Sequence, residues 1–454
     1  MSRASSPTAG AGQAWPAPVP GFTGALDADA RLLESYTAAG EQLLSGLPLR
    51  SARDHGQQRR ADDALEAMRA ARRAFLGLHA EDVYARLTDG CTVHLRLPEL
   101  VHAAADRFPG LVPTRAQLAA ELEHRQADKD GREIDQGIFC GAVLRSARAG
   151  RHLIDAMLLP TPRALELLDD FRAHGRAELA SVLVERRCGA AHVTFRNAHC
   201  LNAEDNRLIA DLETAVDLAL LDDQVRVGVL RGGEVDHPKY AGRRVFSAGI
   251  NLKELRNGRI SLVDFLLGRE LGYINKMMRG LLTDPAPGAS TDRMTQKPWI
   301  GAVDTFAIGG GMQLLLVLDR VIAESQAYLS LPAAEEGIVP GLGNLRLTRQ
   351  TGARLARQVI LGGRRIEASE PAGLLLCDEV VPAEGMAEAV ERAVRELSAP
   401  AVAANRRMLS LAEEPVDLFR EYLAEFAVAQ SVRAYSDDVL QKVERRWQRA
   451  QSQS

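Results

Sequence analysis

Residues 299–308 are apolar and β-rich, residues 312–317 read as a helix, and between them stand three consecutive glycines, Gly309-Gly310-Gly311. A strand that enters such a turn and leaves it as a helix holds several backbone N–H groups free at the positive end of the helix. That end can hold a negative charge developing on a carbonyl oxygen. Glycine adds the possibility of close backbone approach by a ligand. The same pattern also serves an ordinary strand-to-helix turn, so its meaning depends on its surroundings.

Those surroundings divide the 454-residue chain by texture. A chain of this length is too long for one small core, and two domains are the default. Residues 1–28 are rich in Ala, Pro, Gly and Ser and read as a disordered tail until something pins them. Residues 29–179 carry helical spacing almost throughout, as in Leu32, Leu33, Tyr36, Leu43 and Leu44, or Leu65, Met68, Phe75 and Leu76. Helix starts are expected at Thr114 and at Thr161-Pro162. Near residue 180 the pattern changes. Residues 181–188 and 191–196, split by Gly189, read as a hairpin, followed by a helix at 203–221 and a buried strand at 225–230. Short strands are expected at 321–323 and 327–329, and one long charged helix at 415–448. Repeated strand–strand–helix units imply an α/β layered domain over 180–410, with C-terminal helices at 411–454 suited to oligomer contacts.

Four ordered motifs give the glycine triplet its context. Asn197-Ala-His-Cys-Leu-Asn202-Ala is followed by Phe246-Ser-Ala-Gly-Ile250-Asn-Leu-Lys253. About 60 residues later come Ala307-Ile-Gly-Gly-Gly311-Met-Gln313, then Leu331-Pro332 and Pro340-Gly-Leu-Gly343. In order and spacing they resemble the crotonase (enoyl-CoA hydratase/isomerase) superfamily over roughly residues 180–410. The likeness implies a ββα spiral core. It implies that the N–H groups of Ile250 and Gly310 form an oxyanion hole for a thioester carbonyl, with Ala248, Asn251 and Lys253 of the same segment against the substrate. Hydratases of that family carry one glutamate three residues beyond the oxyanion glycine and another just after the next motif's proline. Here those positions are Gln313 and Ala333. Neither can titrate, so paired-carboxylate acid–base catalysis is not available. Glu335 and Glu336 are near in sequence but would need a register shift to fill the place.

Gln313, the isoleucine after the FSAG segment and the long helical extension together resemble one branch of the superfamily, the cofactor-independent dioxygenases that act on 3,5-dihydroxyphenylacetyl-CoA in glycopeptide-antibiotic pathways. That likeness implies Glu204, Arg269 and Gln313 as partners of ring hydroxyls, and an apolar pocket near Ile338 that receives O2. On this reading CoA is part of the substrate, O2 is the co-substrate and no cofactor is needed. A CoA-ester decarboxylase, thioesterase or C–C lyase of the same family, or a non-catalytic acyl-CoA-binding protein, shares the oxyanion segment and stays open on sequence.

Other classes find less support. Ten histidines all lie at or before His237, and His79-Ala-Glu81 sits in the helical region, so no metal is expected. No G-x-G-x-x-G follows a strand in the α/β region. Five scattered cysteines read as reduced thiols. A net charge of −4 argues against nucleic acid and anionic membranes, and no apolar run nears the roughly 20 residues of a membrane span. The expectation is a cytoplasmic homo-oligomer, a hexamer by family likeness. His237, Lys239 and Tyr240, in the loop before the oxyanion segment, are candidate contacts for CoA phosphates, with Lys253 a similar one; a solvated turn would read alike.

Overall fold

A computed structural model describes residues 15–284 and 293–451. Its N-terminal part is helical because polar residues stand at the helix starts and apolar ones recur behind them. Asp54 accepts from the Gln57 N–H at 2.8 Å while the Gln57 side chain accepts from the Asp54 N–H at 3.0 Å, and this reciprocal cap opens the 33-residue helix His55–Leu87. Thr114 and Gln117 repeat the device ahead of Arg115–Leu122, and Thr161 with Pro162 at the first turn opens Pro162–His174. Gly175, at φ 67°, ends that helix in the left-handed region. Arg176–Glu178 already belongs to a sheet, so the helical region closes a few residues before the expected boundary at 179.

The expected tail at 1–28 needs correction where it is described; residues 1–14 lie outside the described residues. Trp15 packs on Tyr36 with ring centroids 4.6 Å apart, and the Tyr36 hydroxyl donates to the Ala17 carbonyl. The N–H groups of Thr23 and Gly24 donate to the Asp29 carboxylate at 2.8–3.0 Å. Burial alone would raise the pKa of Asp29, yet the bonds from Thr23, His79 and Gly24 hold it down to about 2. One aromatic ring and one carboxylate thus pin a segment whose composition argues for disorder.

The sheet layer follows the ββα spiral. Seven strands run side by side in the order Arg176–Glu178, Val182–Arg187, Ala190–Phe195, Val227–Gly232, Trp299–Val303, Arg320–Glu324 and Glu379–Val381. The first two pairings are antiparallel and the rest parallel. A second sheet pairs Phe306–Ile308 with Tyr328–Ser330 in parallel and adds Ile366–Glu367 antiparallel. A turn of the spiral can give one strand to each sheet and then a short helix, as in Trp299–Val303, Phe306–Ile308 and Gly310–Leu315. The second sheet therefore delivers its strand ends directly to the glycine triplet.

The helical and sheet regions share one hydrophobic core, which runs from Phe75 and Phe139 through Leu212 and Phe265 to Phe419. The expected single helix at 415–448 divides into Val416–Arg433 and Asp437–Gln451. The first of these buries Phe419, Leu423, Phe426 and Ala427. It lies so close to Glu133–Arg145 that a side chain at Gly137 or Gly141 would strike it. A helix assigned by sequence to contacts between subunits is thus packed inside its own chain. Among the described residues no helix is long and apolar enough to cross a membrane.

A buried ion group ties the layers together. The Lys276 amine, fully buried, lies 2.7 Å from Asp217 and 2.8 Å from Glu213. Arg96 pairs with Glu213, and Asp217 accepts the Thr161 N–H at 2.7 Å. Lys276→Met keeps the volume but removes the only ammonium between these carboxylates. The expected loss is about 3–5 kcal/mol of stability by urea denaturation; a loss under about 1 kcal/mol would mean that the group does not hold the layers together.

Candidate active site

Asn197 and Asn202 fold the segment that precedes the site. Asn202 sits at φ 54°, a conformation its short amide tolerates. Its Nδ2 donates to the carbonyls of Val245 at 2.7 Å and Gly233 at 3.2 Å, and its Oδ1 accepts from the Asn197 N–H at 2.9 Å. The chain then reaches Glu204, whose N–H donates to Gly249 O at 2.7 Å and whose carbonyl accepts from Asn251 N–H at 2.8 Å. This one-residue parallel bridge clasps Ile250 from one side and turns its N–H to the other.

On that other side stands the glycine triplet. Ile308 N–H donates to Ser247 O at 2.9 Å and Gly309 N–H to Ser330 O at 2.8 Å, which fixes the turn between the two strands. Gly309 adopts φ 55°, ψ −117°, open in practice only to glycine. Gly249 lies so close that a Cβ there would stand 3.6 Å from Gly310 N. Among the described residues neither Ile250 N–H nor Gly310 N–H donates to a backbone carbonyl. Both N–H groups are thus without a backbone acceptor, that of Gly310 at the start of the helix Gly310–Leu315.

The three residues expected to meet ring hydroxyls converge behind Gly310. A side chain there would collide with the Glu204 carboxylate, whose Cδ lies 2.7 Å from the Cβ position. Arg269 Nη2 is 3.1 Å from Glu204 Oε2, and Nη1 is 2.8 Å from Gln313 Oε1. Glu204, Arg269 and Gln313 are 1%, 4% and 7% exposed, so neither the acid nor the arginine is a solvated helix residue. Burial pushes the Glu204 carboxyl above its ordinary range against the pull of Arg269. Burial works against the Arg269 charge too, but Glu204, Tyr273 and Glu270 outweigh it and hold the guanidinium protonated.

A π-turn aims Arg269. Residues Leu262–Leu267 form it, and Gly268–Leu271 continues as α-helix. Gly268 has no room for a side chain, since a Cβ would lie 2.8 Å from Val263 O. Sequence reading missed Glu270 and Arg346, which extend the charged group: Glu270 lies 3.1 Å from Arg269 and 3.3 Å from Arg346. Adjacency to Arg269 and to the Pro340–Gly343 loop was the only signal for them, and no spacing rule reads it.

The remaining expected residues fall into place unevenly. Ala333 is buried on the short helix Ala333–Glu336, while Glu335 is exposed and lies against Gly363, so no register shift brings it into the vacated place. Ile338 and Ile250 line a common cavity of about 20 Å³ with Leu255, Ile260, Leu266 and Val439, large enough for one small molecule. Asn251 uses its side-chain oxygen to cap the helix Leu252–Arg256, at 3.1 Å from Lys253 N. Ala248 lies in an apolar patch with Tyr240, Phe306, Ile308 and Tyr328, and His237, Lys239 and Lys253 are exposed. Lys239 Nζ stands 5.3 Å from the Tyr240 ring, and Arg365, absent from the sequence candidates, stacks 3.5 Å over Tyr328.

The spiral and its glycine triplet are those of an acyl-CoA-binding fold. The sequence profile of the enoyl-CoA hydratase/isomerase family matches residues 290–427. The chain is 59% identical over 415 residues to the (3,5-dihydroxyphenyl)acetyl-CoA 1,2-dioxygenase of Amycolatopsis orientalis, covering 91% of this chain and 95% of that protein. It is 31% identical over 229 residues to the short-chain-enoyl-CoA hydratase of Clostridium acetobutylicum, covering 50% of this chain and 78% of that one. A solved enoyl-CoA hydratase from Mycobacterium avium subsp. paratuberculosis K-10 aligns with 60% of this chain and 97% of its own, at 22% identity and a TM-score of 0.49. The chain belongs to the enoyl-CoA hydratase/isomerase, or crotonase, superfamily. Within it, the likeness that spans the helical extension as well as the core is to the dioxygenase.

Gly341 tests the packing of the charged group. It sits at φ 46°, and a Cβ there would collide with Glu270 and stand 2.9 Å from Gln313 Oε1. Gly341→Ala is expected to cost about 1–3 kcal/mol in denaturant unfolding; an unchanged midpoint would show that the loop does not bear on Glu270.

Proposed function

We propose that the chain is a dioxygenase that converts 3,5-dihydroxyphenylacetyl-CoA and O2 into 3,5-dihydroxyphenylglyoxylate and free CoA. The observation that carries this reading is the buried Glu204–Arg269–Gln313 group beside the Ile250 and Gly310 donors, in a chain 59% identical to an enzyme so named. The thioester oxygen enters the gap between the two N–H groups, which stabilise the enolate formed when the α-carbon loses a proton. The benzylic carbanion spreads into both ring and carbonyl and is electron-rich enough to reduce O2 directly. A C–O bond forms at the α-carbon, and the peroxide so made attacks the thioester carbonyl. The C–S bond breaks and CoA leaves as thiol. Cleavage of the O–O bond with loss of the second α-hydrogen leaves the α-keto acid, so both oxygen atoms of O2 end in the product.

The residues present favour this course. Gln313 and Ala333 stand where hydratases hold acids, so no carboxylic acid is aimed at the α-carbon from those positions to return its proton. The cavity between Ile250 and Ile338 offers O2 an aliphatic wall beside the oxyanion gap. On this reading the substrate supplies the electrons, and neither metal nor organic cofactor takes part. Ala248, the half-buried Tyr240 and the exposed His237, Lys239 and Lys253 border the mouth where the CoA portion would lie. A homo-oligomer, hexameric by family likeness, also fits: Met408, Leu409 and Leu411 on the helix Pro400–Glu413 are each more than half exposed, and apolar surface of that kind suits contact with further copies.

The deciding experiment incubates chelator-treated protein with 3,5-dihydroxyphenylacetyl-CoA in an oxygen electrode cell while free thiol and product mass are followed. Oxygen uptake matched mole for mole by thiol and keto acid is expected. Thiol release without oxygen would replace the reading with a thioesterase, and binding without turnover with a carrier. Gly310→Ala, whose methyl group strikes Glu204, is expected to lower kcat by about 10²–10³. Ile338→Phe fills the small cavity and is expected to raise the KM for O2 several-fold with little change in the KM for thioester; equal changes in both would remove Ile338 from the oxygen path.

A further inference from the structure

Arg269 meets two side chains assigned above to the substrate, Glu204 and Gln313, and two that are not, Tyr273 and Glu270. Glu270 is 1% exposed and shares Arg269 Nη1 with Gln313, its Oε1 3.1 Å from that nitrogen and its Oε2 3.3 Å from Arg346 Nη1. Arg346 in turn grips Glu414 through Nε at 2.9 Å and Nη2 at 3.1 Å, and Glu414 also meets Arg279 Nη2 at 3.1 Å. Charge alternates along the six side chains Glu204, Arg269, Glu270, Arg346, Glu414 and Arg279, none of them more than 9% exposed. The far end is anchored on the helix Val416–Arg433, where Arg279 stacks 4.9 Å over Phe419. The Tyr422 hydroxyl, from the same helix, donates to Gly341 O at 2.9 Å and holds the loop that covers Glu270.

The contacts in front of Arg269 cannot orient it, because they must also be available to the ligand. A guanidinium carries only donors, so the Gln313 oxygen must face it; the Gln313 NH₂ then remains, and it forms no hydrogen bond within the described residues. Glu204 Oε2 likewise accepts no well-directed hydrogen bond, although it lies within ion-pair distance of Arg269. Gln313 thus offers a donor and Glu204 an acceptor, a match for two hydroxyls of which one accepts and the other donates. Arg269 Nε and the Tyr273 hydroxyl beside them also lack a well-directed hydrogen bond among the described residues.

We propose that Glu270 is a positioning residue for ring recognition, and that Arg346 and Glu414 support it. Held by Glu270, Arg269 keeps Nη1 on Gln313 and Nη2 on Glu204, and this sets which atoms meet the two hydroxyls. The inference rests on the proposed function only in taking this pocket as the place of the hydroxylated ring.

The test is anaerobic calorimetry with 3,5-dihydroxyphenylacetyl-CoA and with phenylacetyl-CoA, on the wild type, Glu270→Gln and Glu414→Gln. The wild type is expected to favour the hydroxylated ligand. Glu270→Gln is expected to weaken that ligand by about tenfold or more and to leave phenylacetyl-CoA unchanged. Glu414→Gln, one link further back, is expected to show a smaller loss of the same kind, and it carries the comparison if Glu270→Gln does not fold. Equal weakening of both ligands would mean a merely structural role and overturn the proposal, as would no weakening at all. A wild type that binds the two ligands alike would overturn it together with the ring pocket. Oxygen uptake by the wild type, measured separately, bears on the reaction alone: without uptake, a hydroxyl preference lost in Glu270→Gln would still uphold the positioning role.

Discussion

An arginine closed off from water beneath the glycine triplet sets the terms for the whole site. A buried charge is tolerated only where partners and hydrogen bonds replace its hydration. Arg269 finds them in Glu204, Glu270, Gln313 and the Gly310 carbonyl. Each partner places its own demand on the backbone. Gly310 has no side chain because Glu204 fills the space, Gly341 because Glu270 does, and Gly268 because Val263 O stands 2.8 Å from where its Cβ would lie. Two of the glycines that read as loop signatures in sequence, Gly310 and Gly341, are thus the imprint of this group in the fold.

The same constraint bears on the chemistry. In a hydratase of this superfamily the place of Gln313 would hold a carboxylate; here it would be a third acid within reach of one guanidinium. An amide accepts from Arg269 through its oxygen and keeps a donor for the ligand without adding charge. On the proposed reading, one replacement thus serves ring recognition and also removes one of the two acids of hydratase chemistry. At Ala333 the change is one of subtraction, leaving a small buried side chain.

Motifs tied to backbone geometry were legible from sequence. The FSAG segment, the glycine triplet and the Asn197–Asn202 turn each need particular residues at particular torsions, and the parallel bridge and strand order place them together as their spacing implies. Caps at Thr114 and Thr161 were readable for the same reason. Contacts made across the fold were not. Nothing local links Glu414 to Arg346, 68 residues away, or Trp15 to Tyr36. The division of residues 415–448 into two helices was hidden because both halves are helix formers, and the break at 434–436 follows a turn that packs against other parts of the chain: Gln126 donates to Ala434 O at 3.1 Å and Tyr435 to Glu133 at 2.6 Å. The core shared by helices and sheet also escaped composition, since a shared core and two separate ones need the same apolar residues.

The π-turn at Leu262–Leu267 has a consequence for how the helix should be understood. Such a turn houses one residue more than an α-helical turn spanning the same stretch. It leads straight into Gly268–Leu271, which carries Arg269 to Glu204 and Gln313. The extra residue is therefore a working part of the charged group and not a defect in the helix.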